Sequence, residues 1–278
     1  MNRLSTEKRA SILGMLTEGM SLRATTRLAG VSIDTVSKLL VDVGTACSVY
    51  MDEHIRDLPC TRIEADEIWS FVGMKQKHVP EERQGEYGIG DVWTWVGLCA
   101  DTKLVPSFLV GQRDAPDAFA FMEDLASRLS SRVQLSTDGL RLYLMAVENA
   151  FGSEVDYATI VKLYGADPEP QRRYSPAKCT GTERTIIQGD PDRRSISTSH
   201  VERQNLTIRM GNRRFTRLTN AFSKKVENHA ASVALHFMHY NFARPHKSLK
   251  NPYPRTPAMA AGIEDYAWTL RDIAALLD

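Results

Sequence analysis

The chain has 278 residues, a formal net charge of +1, and 42% hydrophobic and 25% charged side chains. It is therefore an ordinary globular protein, long enough for one main domain and a smaller one. No apolar run approaches the ~20 residues of a membrane span, and Met1 to Lys8 lack a signal-peptide core, so no membrane partner and a cytoplasmic (in a bacterium, nucleoid-associated) location are expected.

Residues 1–42 read as short helices with tight breaks. Ser5 is placed to cap a first helix and Ser21 a second. Gly30 ends the second helix, and Ser32 caps a third that begins at Ile33. Two helices joined by a turn of Gly and an apolar residue suit a helix-turn-helix, whose second helix presents its N-terminal residues to the major groove. Asp34, Thr35 and Lys38 are then the residues expected to face DNA. An ordinary helical hairpin is the alternative. The apolar stripe Val36, Leu39, Leu40, Val43 and Cys47 continues beyond the motif, so residues 43–60 are expected to form a linker helix, weakened by Gly44 and stopped by Pro59.

From Thr61 the hydrophobic period changes. Residues 62–72, 91–100 and 104–111 read as three strands, with a hairpin link near Asp101. A helix over 114–129, a strand over 133–138 that ends in a carboxylate, a helix over 140–151 and a strand over 157–164 follow. This is an α/β order that fits a ribonuclease-H-like mixed sheet with flanking helices, preceded by the all-α unit. The catalytic domain is expected over 61–256. Within it, residues 165–199 are polar and rich in Pro and Arg and are expected to be an irregular insertion with, at most, a small hairpin near Thr185. Residues 257–278 are expected to form a helical tail. Phe237, Tyr240 and Phe242 read as core. The cysteines Cys47, Cys60, Cys99 and Cys179 form no CxxC pair, which leaves no zinc or disulfide framework in view.

The densest charge lies late in the chain. Arg193, Arg194, Arg203, Arg209, Arg213, Arg214, Arg217, Lys224 and Lys225 surround a single acid, Glu202. Clustered cations form a phosphate-binding surface. Asn205 and Arg209 follow Glu202 at helical spacing and share its face. Arg213, Arg214, Lys224 and Lys225 extend the DNA-binding set.

Asp66 lies mid-strand among Ile, Trp and Phe, where an acid is costly unless paired or metal-bound. Glu64 on the same face and Glu67 on the other compete with it for that role. Asp138 sits where a strand ends, the usual place for sites in such sheets, though a helix cap would also explain it. Glu202 would by default be a solvated acid paired with Arg203. Brought together, the three acids would repel and require cations. Two Mg²⁺ ions, with Mn²⁺ as substitute, are the usual solution in phosphoryl transfer.

The segments Asp66-Glu-Ile-Trp, Ser136-Thr-Asp138-Gly and His200-Val-Glu202-Arg-Gln-Asn205-Leu-Thr-Ile-Arg209 resemble the DDE motifs of insertion-sequence-one-type transposases. Residues 212–225 and Tyr240-Asn-Phe-Ala-Arg244-Pro-His246-Lys-Ser-Leu are similar to later parts of that family. The resemblance implies a catalytic and metal-binding triad of Asp66, Asp138 and Glu202. It also implies cleavage at element ends, strand transfer into target DNA, and a homodimer or higher oligomer on double-stranded DNA. Such transposases often carry a cysteine-rich zinc segment ahead of the helix-turn-helix. The sequence starts without one, so end recognition is expected to rest on fewer contacts or on a partner. The alternatives are a transposase-derived, non-catalytic DNA-binding regulator and a nuclease of the same fold.

Overall fold

The computed structural model describes residues 4–86, 88–165, 179–216 and 220–278. Three capped helices open the chain: α1 (Thr6–Thr17), α2 (Leu22–Ala29) and α3 (Ile33–His54). Ser5, Ser21 and Ser32 each accept a backbone N–H from the first turn, and Gly30 closes α2 with φ 64°. The turn thus forms from the residues whose conformational preferences ask for it.

The 42/43 boundary falls inside α3, which runs unbroken for 22 residues. Gly44, a weak point on propensity alone, is where α3 meets α7 (Val226–Met238). A Cβ at Gly44 would stand 2.5 Å from the Ala231 carbonyl oxygen and 2.6 Å from its Cα. The missing side chain is what lets the two backbones approach. A π-type turn, His239–Ala243, continues α7, and Asn241 pins it by hydrogen bonds to the backbone N–H and C=O of Val105.

The sheet is built from β1 (Arg62–Val72), β2 (Gly90–Cys99), β3 (Ser107–Gly111), β4 (Val133–Thr137), β5 (Val155–Tyr164) and β6 (Cys179–Gln188), in the order β3-β2-β1-β4-β5-β6. β1, β2 and β3 pair antiparallel, and β1, β4 and β5 pair parallel, which is the ribonuclease-H-like arrangement expected from the sequence. Register assigns the faces. Glu67 lies opposite Trp95 and Asp66 opposite Val96, itself paired with Phe108. Trp95 meets Phe121 and Tyr143, so α4 (Ala115–Ser127) and α5 (Leu142–Phe151) cover the Glu67 face. Phe108 meets Phe237 of α7, so the Asp66 face lies under α7 and α6 (Ser199–Gly211).

Residues 179–188 are not a small hairpin in an irregular insertion; they form a ten-residue edge strand antiparallel to β5. Most of its side chains are exposed, so no hydrophobic alternation marks it. It forms because β5 offers a free row of backbone groups. Residues 166–178 of that insertion lie outside the described residues.

The chain ends in α8 (Pro257–Ala260) and α9 (Leu270–Ala275). α9 packs on α1, and buried Arg9 pairs with Asp278 at 2.5 Å. One continuous apolar core holds residues of the first helices, the sheet and these last helices, including Phe237, Tyr240 and Phe242. Cys47, Cys60 and Cys99 are buried free thiols, and Cys179 is an exposed one. Among the described residues no helix is long and apolar enough to cross a membrane.

Candidate metal centre and its basic surround

Pairing between β1 and β4 runs from Arg62↔Gln134 to Ala65↔Thr137 and stops there. Asp66 and Asp138 are the next residue on each strand, so the register itself sets the two carboxylates side by side at the carboxyl end of β4. One carboxylate oxygen from each of Asp66, Glu67 and Asp138 lies within 4.8 Å of the others. Glu67 reaches this group from the opposite sheet face.

The three acids are held differently. Asp66 Oδ2 accepts a hydrogen bond of 2.8 Å from Asn205 Nδ2 on α6. Asn205 Oδ1 is buried with no partner among the described residues. Asp138 Oδ1 accepts the Leu140 N–H at 2.8 Å, so this residue caps its turn while contributing to the cluster. Glu67 has a side chain only 2% exposed and accepts from Arg113 Nε at 2.8 Å and from the Tyr143 hydroxyl at 3.0 Å. Arg113 in turn lies over the Trp93 ring.

Burial is the main reason that the Asp66 carboxyl is pushed up to about 7, with the charges of Glu67 and Asp138 adding to it. Burial and Asp138 also raise Glu67, against the pull of Arg113 and Tyr143. Tyr143 is driven far above the ordinary phenol range by its burial and by the three carboxylates. A centre of this kind favours whatever brings positive charge. Its donors are all oxygens, the set that hard divalent cations such as Mg²⁺ and Mn²⁺ take, and the unpartnered amide oxygen of Asn205 lies one residue contact away.

Glu202 is one turn ahead of Asn205 on α6 and is not in the cluster. Its carboxylate pairs with Lys162 of β5 and accepts from Thr198 Oγ1 at 2.7 Å, with a side chain 40% exposed. The neighbouring ammonium and hydroxyl satisfy this carboxylate where it stands. Glu64 has a different task. One of its oxygens accepts the His200 and Val201 N–H groups at 2.7 and 3.1 Å, and the other meets His200 Nδ1 at 2.7 Å. A buried carboxylate thus sits on the N-terminus of α6, where the unpaired N–H groups and helix dipole stabilise it. It fixes the helix that carries Glu202 and Asn205. Arg113, Tyr143, Lys162 and the anchoring role of Glu64 were not foreseen from the sequence. Only Glu64 left a trace there, as a strand acid on the face of Asp66 that competed with it for the site.

Asp34, Arg213, Arg214 and Lys224, four of the predicted DNA-facing residues, line one cavity. Asp34 and Lys38 are exposed on α3, with Lys38 paired to Asp42 at 2.6 Å, and Thr35 is half-buried at its first turn. Arg209 ends α6. Arg213 and Arg214 form the short turn that follows, and Lys224 and Lys225 are exposed just before α7. Arg217 lies outside the described residues.

No protein-family model matches the chain, and no curated protein does. Solved structures do. A Mos1 transposase paired-end complex with the left transposon end is 14% identical, with a TM-score of 0.23, over 56% of this chain and 60% of that one. A piggyBac transposase synaptic complex with hairpin DNA is 11% identical, with a TM-score of 0.39, over 99% of this chain and 71% of that one. A Mos1 strand transfer complex is 13% identical, with a TM-score of 0.24, over 84% and 78%. The chain thus spans less than two thirds of the first of these proteins.

Proposed function

We propose that the protein is a DNA transposase of the DDE type that cuts phosphodiester bonds at element ends and transfers the freed 3′-hydroxyl into target DNA. The observation that carries this reading is the register-imposed meeting of Asp66 and Asp138 at the end of the β1–β4 pairing, with α6 docked on Asp66 through Asn205. A cluster of one buried and two half-buried acids, with Arg113 its only cationic partner among the described residues, is costly by itself and suits divalent metal ions.

Asp66 and Asp138 would hold the metal from the strand ends, and Glu202 would complete the set from α6 on leaving Lys162. A bound pair of divalent ions supplies polarisation of a phosphate oxygen and activation of a hydroxyl nucleophile. The chain's own part is positional. Glu64 fixes α6, Asn205 orients Asp66, and the Arg113–Glu67–Tyr143 contacts stiffen the cluster from the other face. Arg209, Arg213, Arg214, Lys224 and Lys225 would bind backbone phosphates, while the first turn of α3, with Asp34, Thr35 and Lys38, would meet the terminal sequence. Two ends must be joined, so a dimer or higher oligomer is expected on DNA.

The test is to incubate the full chain with Mg²⁺ or Mn²⁺ and DNA cloned from the flanks of its gene, with a Glu202→Gln variant alongside. Metal-dependent cleavage with newly joined strands, lost in the variant, is the expected result. Cleavage without joining would replace this proposal with a nuclease. Tight metal-independent binding by both proteins, with no cleavage, would replace it with a regulator.

A further inference from the structure

A cavity of 660 Å³ that none of the clustered acids lines sits between the first turns of α2 and α3 on one side and the α6–α7 connection on the other. Its walls carry four cations, Arg23, Arg213, Arg214 and Lys224, against one acid, Asp34. Arg214 is the telling residue. It is half-buried, and its Nη2 is shielded from solvent with no hydrogen-bond partner among the described residues. A guanidinium N–H held out of water without an acceptor is expensive, and an anionic oxygen entering the cavity would satisfy it. The rest of the wall is not that of a simple anion hole. The Phe222 ring, tilted against Phe71, borders the cavity together with aliphatic side chains of α1, α3 and α7. The volume falls in the roughly 300–1,000 Å³ range of pockets for organic ligands, well beyond what a lone phosphate fills.

Negative charge, a planar apolar part and this size together describe a nucleotide. Bases inside a duplex are stacked and out of reach, so the occupant must come from an unpaired stretch. We infer that this cavity binds one unstacked nucleotide of a DNA strand, its phosphate on Arg214 and its base against Phe222. The inference rests on the proposed function for its substrate, DNA, and adds to it a site that none of the three acids lines. The helix-turn-helix-like unit and the arginine segment would then grip the same nucleotide, which gives their close packing a purpose.

The test uses the full chain and three probes. Calorimetry with 5′-deoxyadenosine monophosphate and with inorganic phosphate separates a nucleotide site from an anion site. DNA with 2-aminopurine in a single-stranded overhang, compared with the same base inside a duplex, separates a strand-borne nucleotide from a free one. Saturable binding of the monophosphate, at least about tenfold tighter than phosphate, is expected, with an Arg214→Gln variant weakened about tenfold or more. The overhang base should change its fluorescence on binding, and the duplex base should not. Should Arg214→Gln fail to fold, Arg23→Gln at an exposed wall position is expected to weaken binding in the same direction. Equal affinity for phosphate and monophosphate, no saturable binding, an unchanged overhang signal, or variants that bind as well as wild type would each overturn the inference. Its failure is distinct from failure of the transposase reading. Metal-dependent DNA joining without nucleotide binding refutes the cavity alone, and nucleotide binding without any cleavage refutes the transposase alone.

Discussion

Asp66→Asn should make the metal-free protein more stable, in a pH-dependent way. The wild-type carboxyl is lifted from 3.8 to about 7, first by burial and then by Glu67 and Asp138. Its folded-state proton affinity is thus raised, so the cost of holding it ionised is absent below the unfolded value and grows as pH rises. It is complete once pH has passed the folded value. Roughly three pH units at about 1.4 kcal/mol each put the full cost near 4 kcal/mol as an order of magnitude. The amide that replaces the acid carries no charge and still offers an oxygen to Asn205 Nδ2. Urea unfolding in chelator, followed by tryptophan fluorescence, should therefore find the variant more stable by about 2–4 kcal/mol at about pH 8, with less than half that gain at about pH 5. Millimolar Mn²⁺ should narrow the gap at the higher pH by stabilising only the wild type. A variant no more stable than wild type at the higher pH, or a gain that does not change with pH, would refute the electrostatic picture of the cluster.

Three further perturbations probe its surroundings. Glu64→Ala removes the acceptor of two backbone N–H groups and of His200 Nδ1; a loss of about 2–4 kcal/mol in urea melts is expected, with Glu64→Gln losing less. Arg113→Gln leaves Glu67 buried with Tyr143 as its one native donor among the described residues. About 1–3 kcal/mol of stability should be lost at neutral pH and largely regained with Mn²⁺, whereas a loss indifferent to metal would mean that Arg113 acts through packing on Trp93 alone. Gly44→Ala would gain up to about 1 kcal/mol on helix propensity, yet the clash with Ala231 should make it destabilising by about 1–3 kcal/mol in thermal or urea melts. A stabilised Gly44→Ala would show that the α3–α7 contact is looser than described.

The strands through β5 were legible because each buries at least one face and so carries a hydrophobic signal. β6 was not, since its side chains lie mostly in solvent and its pairing is a property of β5's backbone. The serine caps and Gly30 announced the first three helices locally. What Gly44 does inside α3 could not be read, because its reason is Ala231, far along the chain. Asp66 and Asp138 were legible as acids at strand positions that need explaining. The use of Glu64 for α6 and the seizure of Glu67 by Arg113 and Tyr143 depend on which face each side chain takes and on what packs there. Glu202 stands on the expected helix, but its engagement with Lys162 depends on β5 register beyond any sequence pattern.

The most direct measurement compares Mn²⁺-dependent cleavage of element-end DNA by the wild type and by Asp66→Asn, Asp138→Asn, Glu202→Gln and Glu67→Gln, after each variant has been shown to fold. Losses of about a thousandfold or more are expected in the first three, and Glu67→Gln should stay within about tenfold of wild type. Full activity in Glu202→Gln together with abolished activity in Glu67→Gln would contradict the proposed triad and make Asp66, Glu67 and Asp138 the working set.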